Sequence, residues 1–158
     1  MITVCCYQSK IGRINISEDN EGICGVSICT SNECSHSSQS KLKDETFRQL
    51  AEYLQGKRKI FEIKLSLKGT EFQKSVWEQL LNIPYGETRS YGEIAALIGN
   101  AKASRAVGMA CNKNPVMIVV PCHRVIGSDG KLTGYGGGLW RKKWLLAHEQ
   151  GQNLKLWQ

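Results

Sequence analysis

At 158 residues with a formal net charge of +7, the chain is long enough to bury its own core, in one domain or in two small ones, without a disulfide scaffold. No basic head precedes a long apolar stretch and the longest aliphatic run is about five residues, which excludes a membrane span and predicts a soluble, unsecreted protein. Seven cysteines, an odd count, are then expected as reduced thiols in the cytoplasm, or in the nucleus if the source is eukaryotic. The charge is uneven. Residues 1–69 carry ten Lys/Arg against eight Asp/Glu, and residues 70–158 eleven against six, so the positive field lies mainly on the C-terminal part and favours a polyanionic partner.

In chain order, "ITVCCY", "GRINIS" and "GICGVSIC" are short β-forming segments separated by polar residues and glycine, the pattern of a small antiparallel sheet. The polar loop "TSNECSHSSQS" follows. Residues 41–55 are predicted helical from the spacing of Leu42, Phe47, Leu50, Ala51 and Leu54, and "IFEIKL" alternates as a further strand would. The regime changes near residues 66–69. Thr70 and Gln73 stand at capping-box spacing before the apolar stripe Phe72, Val76, Trp77 and Leu80, so one domain is placed at 1–68 and a second at 69–158. Tyr91, Ile94, Ala95 and Ile98 define a short helix broken by Gly99-Asn100; Ala103, Ala106, Val107 and Ala110 define another. Two such helices joined by a tight turn fit a helix-turn-helix at about 90–112, and also an ordinary helical hairpin. The face carrying Ala101, Ser104, Arg105 and Gly108, small residues around one arginine, favours close approach to a nucleic-acid backbone over base readout.

The apolar run of "VMIVVPCHRVIG" ends at Pro121 and delivers Cys122 beside His123. A thiol must lose its proton before it can attack, and a histidine can take that proton. Neighbours on an extended strand point to opposite faces, so the two act together only if Pro121 ends the strand or a water bridges them. Glu149 in "LLAHEQ" is the candidate group to orient the imidazole.

"PCHRV", preceded by "NPVMIVV" and followed by "GYGGGLWRKKWLLAHE", resembles the O6-alkylguanine-DNA alkyltransferase family, and "YGETRSYGEIA" and "SRAVGMACNKNP" stand in the same order as in that family. The resemblance covers about residues 70–151; it is weak before that, in "SKIGRINISEDNEGICGV", where a proline is common at the position of Lys10. It implies an α+β protein: a ribonuclease-H-like α/β N-terminal domain and a helical, winged-helix-like C-terminal domain containing the helix-turn-helix. The implied reaction transfers an alkyl group irreversibly from O6 of guanine in double-stranded DNA to Cys122, once per molecule, by a monomer with no cofactor. His123, through a water, and Glu149 would generate the thiolate, Asn114 would brace the turn before the active-site strand, and Tyr91 would donate to guanine N3. Arg105 would replace the base rotated out of the duplex. Ala103, Ser104, Gly108 and Arg124 would join it at the DNA, while Val125, Tyr135, Gly136 and Gly137 would line the substrate pocket.

Other features have plainer readings. "RKK" at 141–143 reads as a solvated face more than as a phosphate clamp, and "GYGGG" as pocket wall, since the third glycine of a nucleotide-binding loop would fall on Leu139. Cys24, Cys29, Cys34 and His36 have a spacing uncommon for zinc, and Cys5 and Cys24 fit strand core, so no metal is expected although some members of the family hold one. Two rivals stay open: a DNA-binding regulator that lost the chemistry, and a thiol hydrolase using Cys122, His123 and Glu149.

Overall fold

The computed structural model describes residues 1–29 and 39–151. The chain divides into two compact units, one of Met1–Lys68 with Pro115–Met117, the other of Gly69–Asn114 with the chain from Ile118 onward. The fold is α+β.

In the first unit, β1 (Thr3–Ser9), β2 (Gly12–Glu18) and β3 (Ile23–Ile28) form an antiparallel sheet in the order β1-β2-β3. The β2–β3 turn is tied by Asp19, whose carboxylate accepts from the amides of Glu21 and Gly22. Cys5, Ile14, Ile16, Ile23 and Val26 are buried. Helix α1 (Lys41–Leu54), capped by Ser40 at the Lys43 amide, packs on β1 and β2, with Phe47 stacked 4.4 Å from Tyr7. Against expectation "IFEIKL" is not a strand. The buried Gln49 side chain accepts from the Glu62 amide and donates to its carbonyl, taking both hydrogen bonds a ladder would use, and only Leu65 makes a bridge, to Ile23.

The second unit opens with α2 (Glu71–Leu81), whose Thr70–Gln73 capping box forms in both directions. Its Trp77 indole donates to the Ala110 carbonyl at 2.9 Å, tying α2 to the later helix α4 (Ser104–Asn112). Between them lie β4 (Arg89–Ser90) and α3 (Tyr91–Leu97), the latter with a second capping box from Ser90 and Glu93. Gly99, at φ +83°, takes the left-handed conformation that ends α3 and lets the chain turn into α4. The buried stripe of α4 is Val107, Ala110 and Cys111; Ala106 is exposed and Ala103 sits at the cap, so the stripe is rotated from its expected position.

The apolar run 116–120 does not form the single active-site strand the sequence suggested. Pro115 and Met117 bond to Val26 of β3, after which Ile118 turns the chain at φ +73°, the only non-glycine residue with positive φ among those described. Such a backbone is costly for a β-branched residue and breaks the extended run. Cys122–Arg124 then forms a 3₁₀ turn, and β5 (Val125–Ile126) pairs parallel to β4 before α5 (Leu139–Glu149) closes the described chain.

Candidate active site

Because Cys122–Arg124 is a 3₁₀ turn rather than a strand, three successive side chains leave the chain in different directions without alternating. All three are buried. Asn114, just beyond α4, donates its side-chain amide to the Val120 carbonyl at 2.8 Å and hydrogen-bonds the Cys122 thiol, so it fixes the approach to the turn and touches the nucleophile. Burial pushes the thiol pKa up; the bond from Asn114 and the charge of Lys142 pull it partly back.

His123 is fully buried, with Nε2 2.6 Å from Glu149 Oε2. Burial holds the imidazole pKa below its ordinary value, opposed by Glu149 and assisted by the positive charges of Arg124 and Lys142, so the ring is neutral at physiological pH. Burial pushes the Glu149 carboxyl up, but the hydrogen bonds and charges of His123 and Arg124 outweigh it and leave the group well below the usual carboxylate range. An ionised carboxylate only accepts, so Nε2 carries the hydrogen and Nδ1 presents its lone pair. That lone pair has no partner among the described residues. A neutral imidazole nitrogen that presents its lone pair has the chemistry of a base.

Glu149 is held on all sides. Oε1 accepts from Arg124 Nε at 2.8 Å and from the Gly86 amide at 3.1 Å, and Oε2 from His123 and from Arg124 Nη2 at 3.1 Å. Gly86 can present its amide there at φ +82°, in the left-handed region that favours glycine. Arg124, expected at the DNA, is instead buried with its guanidinium on Glu149 in bidentate fashion and its Nη1 on the Ile83 carbonyl at 2.6 Å. With those donors committed inside, it is no DNA contact.

Tyr91, at the start of α3, is half-buried with its hydroxyl 3.1 Å from Thr133 Oγ1 and 3.4 Å from Lys142 Nζ. Burial raises its pKa, the Thr133 bond lowers it, and Cys111 and Cys122 add to the rise. It lines a cavity of about 340 Å³ with Ser104, Arg105 and Gly108 of α4, and with Asn112, Thr133 and Gly134. Arg105 is exposed there, and Ala103 caps α4 with no side-chain bond to the first amides. Val125 is fully buried, Gly137 is buried, Gly136 is exposed, and the Tyr135 hydroxyl is buried without a partner among the described residues.

The "RKK" segment is not a solvated face throughout: Arg141 and Lys143 are partly exposed, but Lys142 is buried. Lys142 is 1% exposed, and the sequence did carry the signal, since Lys142, Leu145 and Glu149 stand at i, i+3 and i+7 on one buried stripe of α5. Cys111, also unremarked in the sequence, is buried on α4, and burial with the charge of Cys122 pushes its thiol up to about 12. Among the described residues there is no group of three possible metal ligands, and Cys34 and His36 lie outside them.

The 6-O-methylguanine DNA methyltransferase family matches this arrangement in two parts, its ribonuclease-like domain at residues 3–67 and its DNA-binding domain at residues 71–151. The chain belongs to this family. A methylated-DNA–protein-cysteine methyltransferase of Methanosarcina acetivorans is 52% identical over 148 residues, covering 90% of this chain and 95% of that protein. One from Methanosarcina barkeri is 59% identical over 67% of each chain. The crystal structure of Mycobacterium tuberculosis O6-methylguanine methyltransferase superposes on the whole of both chains with a TM-score of 0.87 at 41% identity. A structure of the M. tuberculosis protein in complex with DNA covers 96% of each chain, with a TM-score of 0.87 at 43% identity. This methyltransferase fold therefore accounts for both units of the chain, and no described helix is long and apolar enough to cross a membrane.

Proposed function

We infer that the protein repairs O6-alkylguanine in double-stranded DNA by moving the alkyl group onto Cys122. The observation that carries this reading is the neutral His123, anchored through Nε2 to Glu149 and bare at Nδ1, adjoining the buried Cys122 in a chain with the family's DNA-binding domain. Nδ1 takes the thiol proton through a water, and the imidazolium is stabilised by the Glu149 carboxylate. The thiolate sulfur attacks the alkyl carbon in line, a C–S bond forms as the C–O6 bond breaks, and the base departs as guanine. Tyr91 supplies a hydrogen bond or proton at N3, offsetting the negative charge that builds on the leaving base. Since Arg124 pairs with Glu149, the carboxylate stays ionised while it works.

The reacting carbon cannot be reached within a stacked duplex, so the base rotates out and Arg105, exposed on α4, fills the gap. Ala103, Ser104 and Gly108 let the helix lie close to the DNA, and the uncapped amides at the start of α4 suit a phosphate. Val125, Tyr135, Gly136 and Gly137 wall the pocket, and Asn114 keeps Cys122 in place. The thioether product lacks the electrophilic carbonyl through which water releases an acyl-enzyme, so each molecule acts once. It acts as a monomer in the compartment that holds the DNA.

The test is the intact mass of the protein after mixing with a duplex carrying one O6-methylguanine. The expected result is a single adduct of about 14 Da on Cys122, restored guanine and no second round. Binding without an adduct, from folded and reduced protein, would overturn the transfer and leave a damage-recognition protein.

A further inference from the structure

The Tyr91 hydroxyl is approached from two sides, by Thr133 Oγ1 at 3.1 Å and by Lys142 Nζ at 3.4 Å. A phenol has one hydrogen and two lone pairs, and an ammonium can only donate. If Thr133 donates as well, both lone pairs are taken and the phenolic hydrogen points away from both neighbours. The ring is held in place: its edge lies against Gly108 of α4, where an added Cβ would stand 3.8 Å from it. Thr133 is held too. Its carbonyl accepts from Lys142 Nζ at 2.8 Å, which fixes the main chain there, while the residue stays exposed. Tyr91, Gly108 and Thr133 line one cavity of about 340 Å³, where an acceptor for the phenolic hydrogen can enter.

We infer that Thr133 is a positioning residue for the transfer: its hydroxyl donates to the Tyr91 oxygen and so reserves the phenolic hydrogen for the departing base. The inference rests on the role proposed for Tyr91 at guanine N3 and names the side chain that orients it. A hydroxyl that accepts a hydrogen bond is polarised by it, which strengthens the bond it donates in turn. The acidity of Tyr91 agrees in sign. Burial and the charges of Cys111 and Cys122 raise its pKa, and the Thr133 bond lowers it, as a donor to the phenolic oxygen does. Were Thr133 the acceptor, Tyr91 would spend its hydrogen there and meet the base with none.

The experiment compares Thr133→Val, which keeps the shape and removes the hydroxyl, with Thr133→Ser, which keeps the hydroxyl; at an exposed position both are expected to fold. Single-turnover methyl transfer is measured on a duplex with O6-methylguanine and on one with O6-methyl-3-deazaguanine, which has a C–H in place of N3 and accepts no hydrogen bond there. Thr133→Val is expected to slow transfer from the first by about tenfold and Thr133→Ser to restore it, while on the second the parent and both variants react alike. An equal loss on both duplexes would reduce Thr133 to a support for its loop, and no loss on the first would overturn the inference outright. A second readout needs no DNA: the Tyr91 phenol is titrated by NMR. Its pKa rises in Thr133→Val and returns in Thr133→Ser; a value unmoved by the loss of the hydroxyl also overturns the inference. A parent protein that transfers no methyl group, while its Tyr91 pKa still moves with Thr133, would sink the repair reading and leave the orientation of the hydroxyl standing.

Discussion

At the scale of single residues, Glu149 has the most to lose. It accepts from His123, from Arg124 twice and from Gly86, all in the buried interior of the second unit. Glu149→Gln keeps the shape, removes the charge that compensates Arg124, and offers an amide hydrogen where only acceptors fit. Breaking one side of such a buried pair costs about 3–5 kcal/mol, read as a shift in urea midpoint. The same change releases the His123 tautomer, so methyl transfer falls by about 10²-fold or more in a single-turnover assay. A variant that keeps the wild-type transfer rate would remove Glu149 from the mechanism. Cys122, His123 and Glu149 stood out in the sequence because of their types and order. Arg124 did not declare its partner: an arginine just after the Cys122-His123 pair reads equally well as a phosphate contact, and only the return of α5 brings the carboxylate to it.

At the scale of elements, the capping box of α2 and the exposed face of α4 separate stability from the proposed function. Thr70→Ala leaves the Gln73 amide uncapped and is expected to lower stability by about 1 kcal/mol with methyl transfer unchanged; a loss of transfer with no loss of stability would contradict that assignment. Arg105→Ala is the mirror case. The side chain is exposed, so thermal stability stays within about 0.5 kcal/mol of the parent, while repair of duplex DNA falls and iodoacetamide alkylation of Cys122 does not. An equal loss in both reactions would place Arg105 in the thiol chemistry rather than at the DNA. Both helices were legible from periodicity, and α2 from its cap. The strand expected at "IFEIKL" was not, because Gln49, thirteen residues before Glu62, intercepts its backbone.

For the whole molecule, two responses to solution conditions follow. The excess of positive charge after residue 70 predicts DNA binding that weakens by at least about tenfold between about 50 and about 200 mM salt; a flat response would argue against phosphate contacts. Acid acts on stability through two depressed groups of the site. The folded pKa of His123 lies below its ordinary 6.5 and that of Glu149 below 4.5, so the unfolded chain binds protons first. Their stabilisation is complete above about pH 6.5 and is lost as pH falls, first through His123 and then through Glu149. Urea midpoints should therefore decline below that pH, and a midpoint that rose on acidification would contradict the buried neutral imidazole.

The amino-acid order alone determined the three-stranded sheet, the helical pair and the cysteine set beside a histidine, because period, caps and turn residues act within a few positions of one another. Tertiary structure decided what spacing cannot encode. It turned the run before Pro121 at Ile118 instead of extending it, and it drew Arg124 inward to Glu149. It also buried Lys142 against Thr133 and Tyr91. Each of these depends on which groups meet after the chain returns from a distance, and a buried charge goes where its partners are.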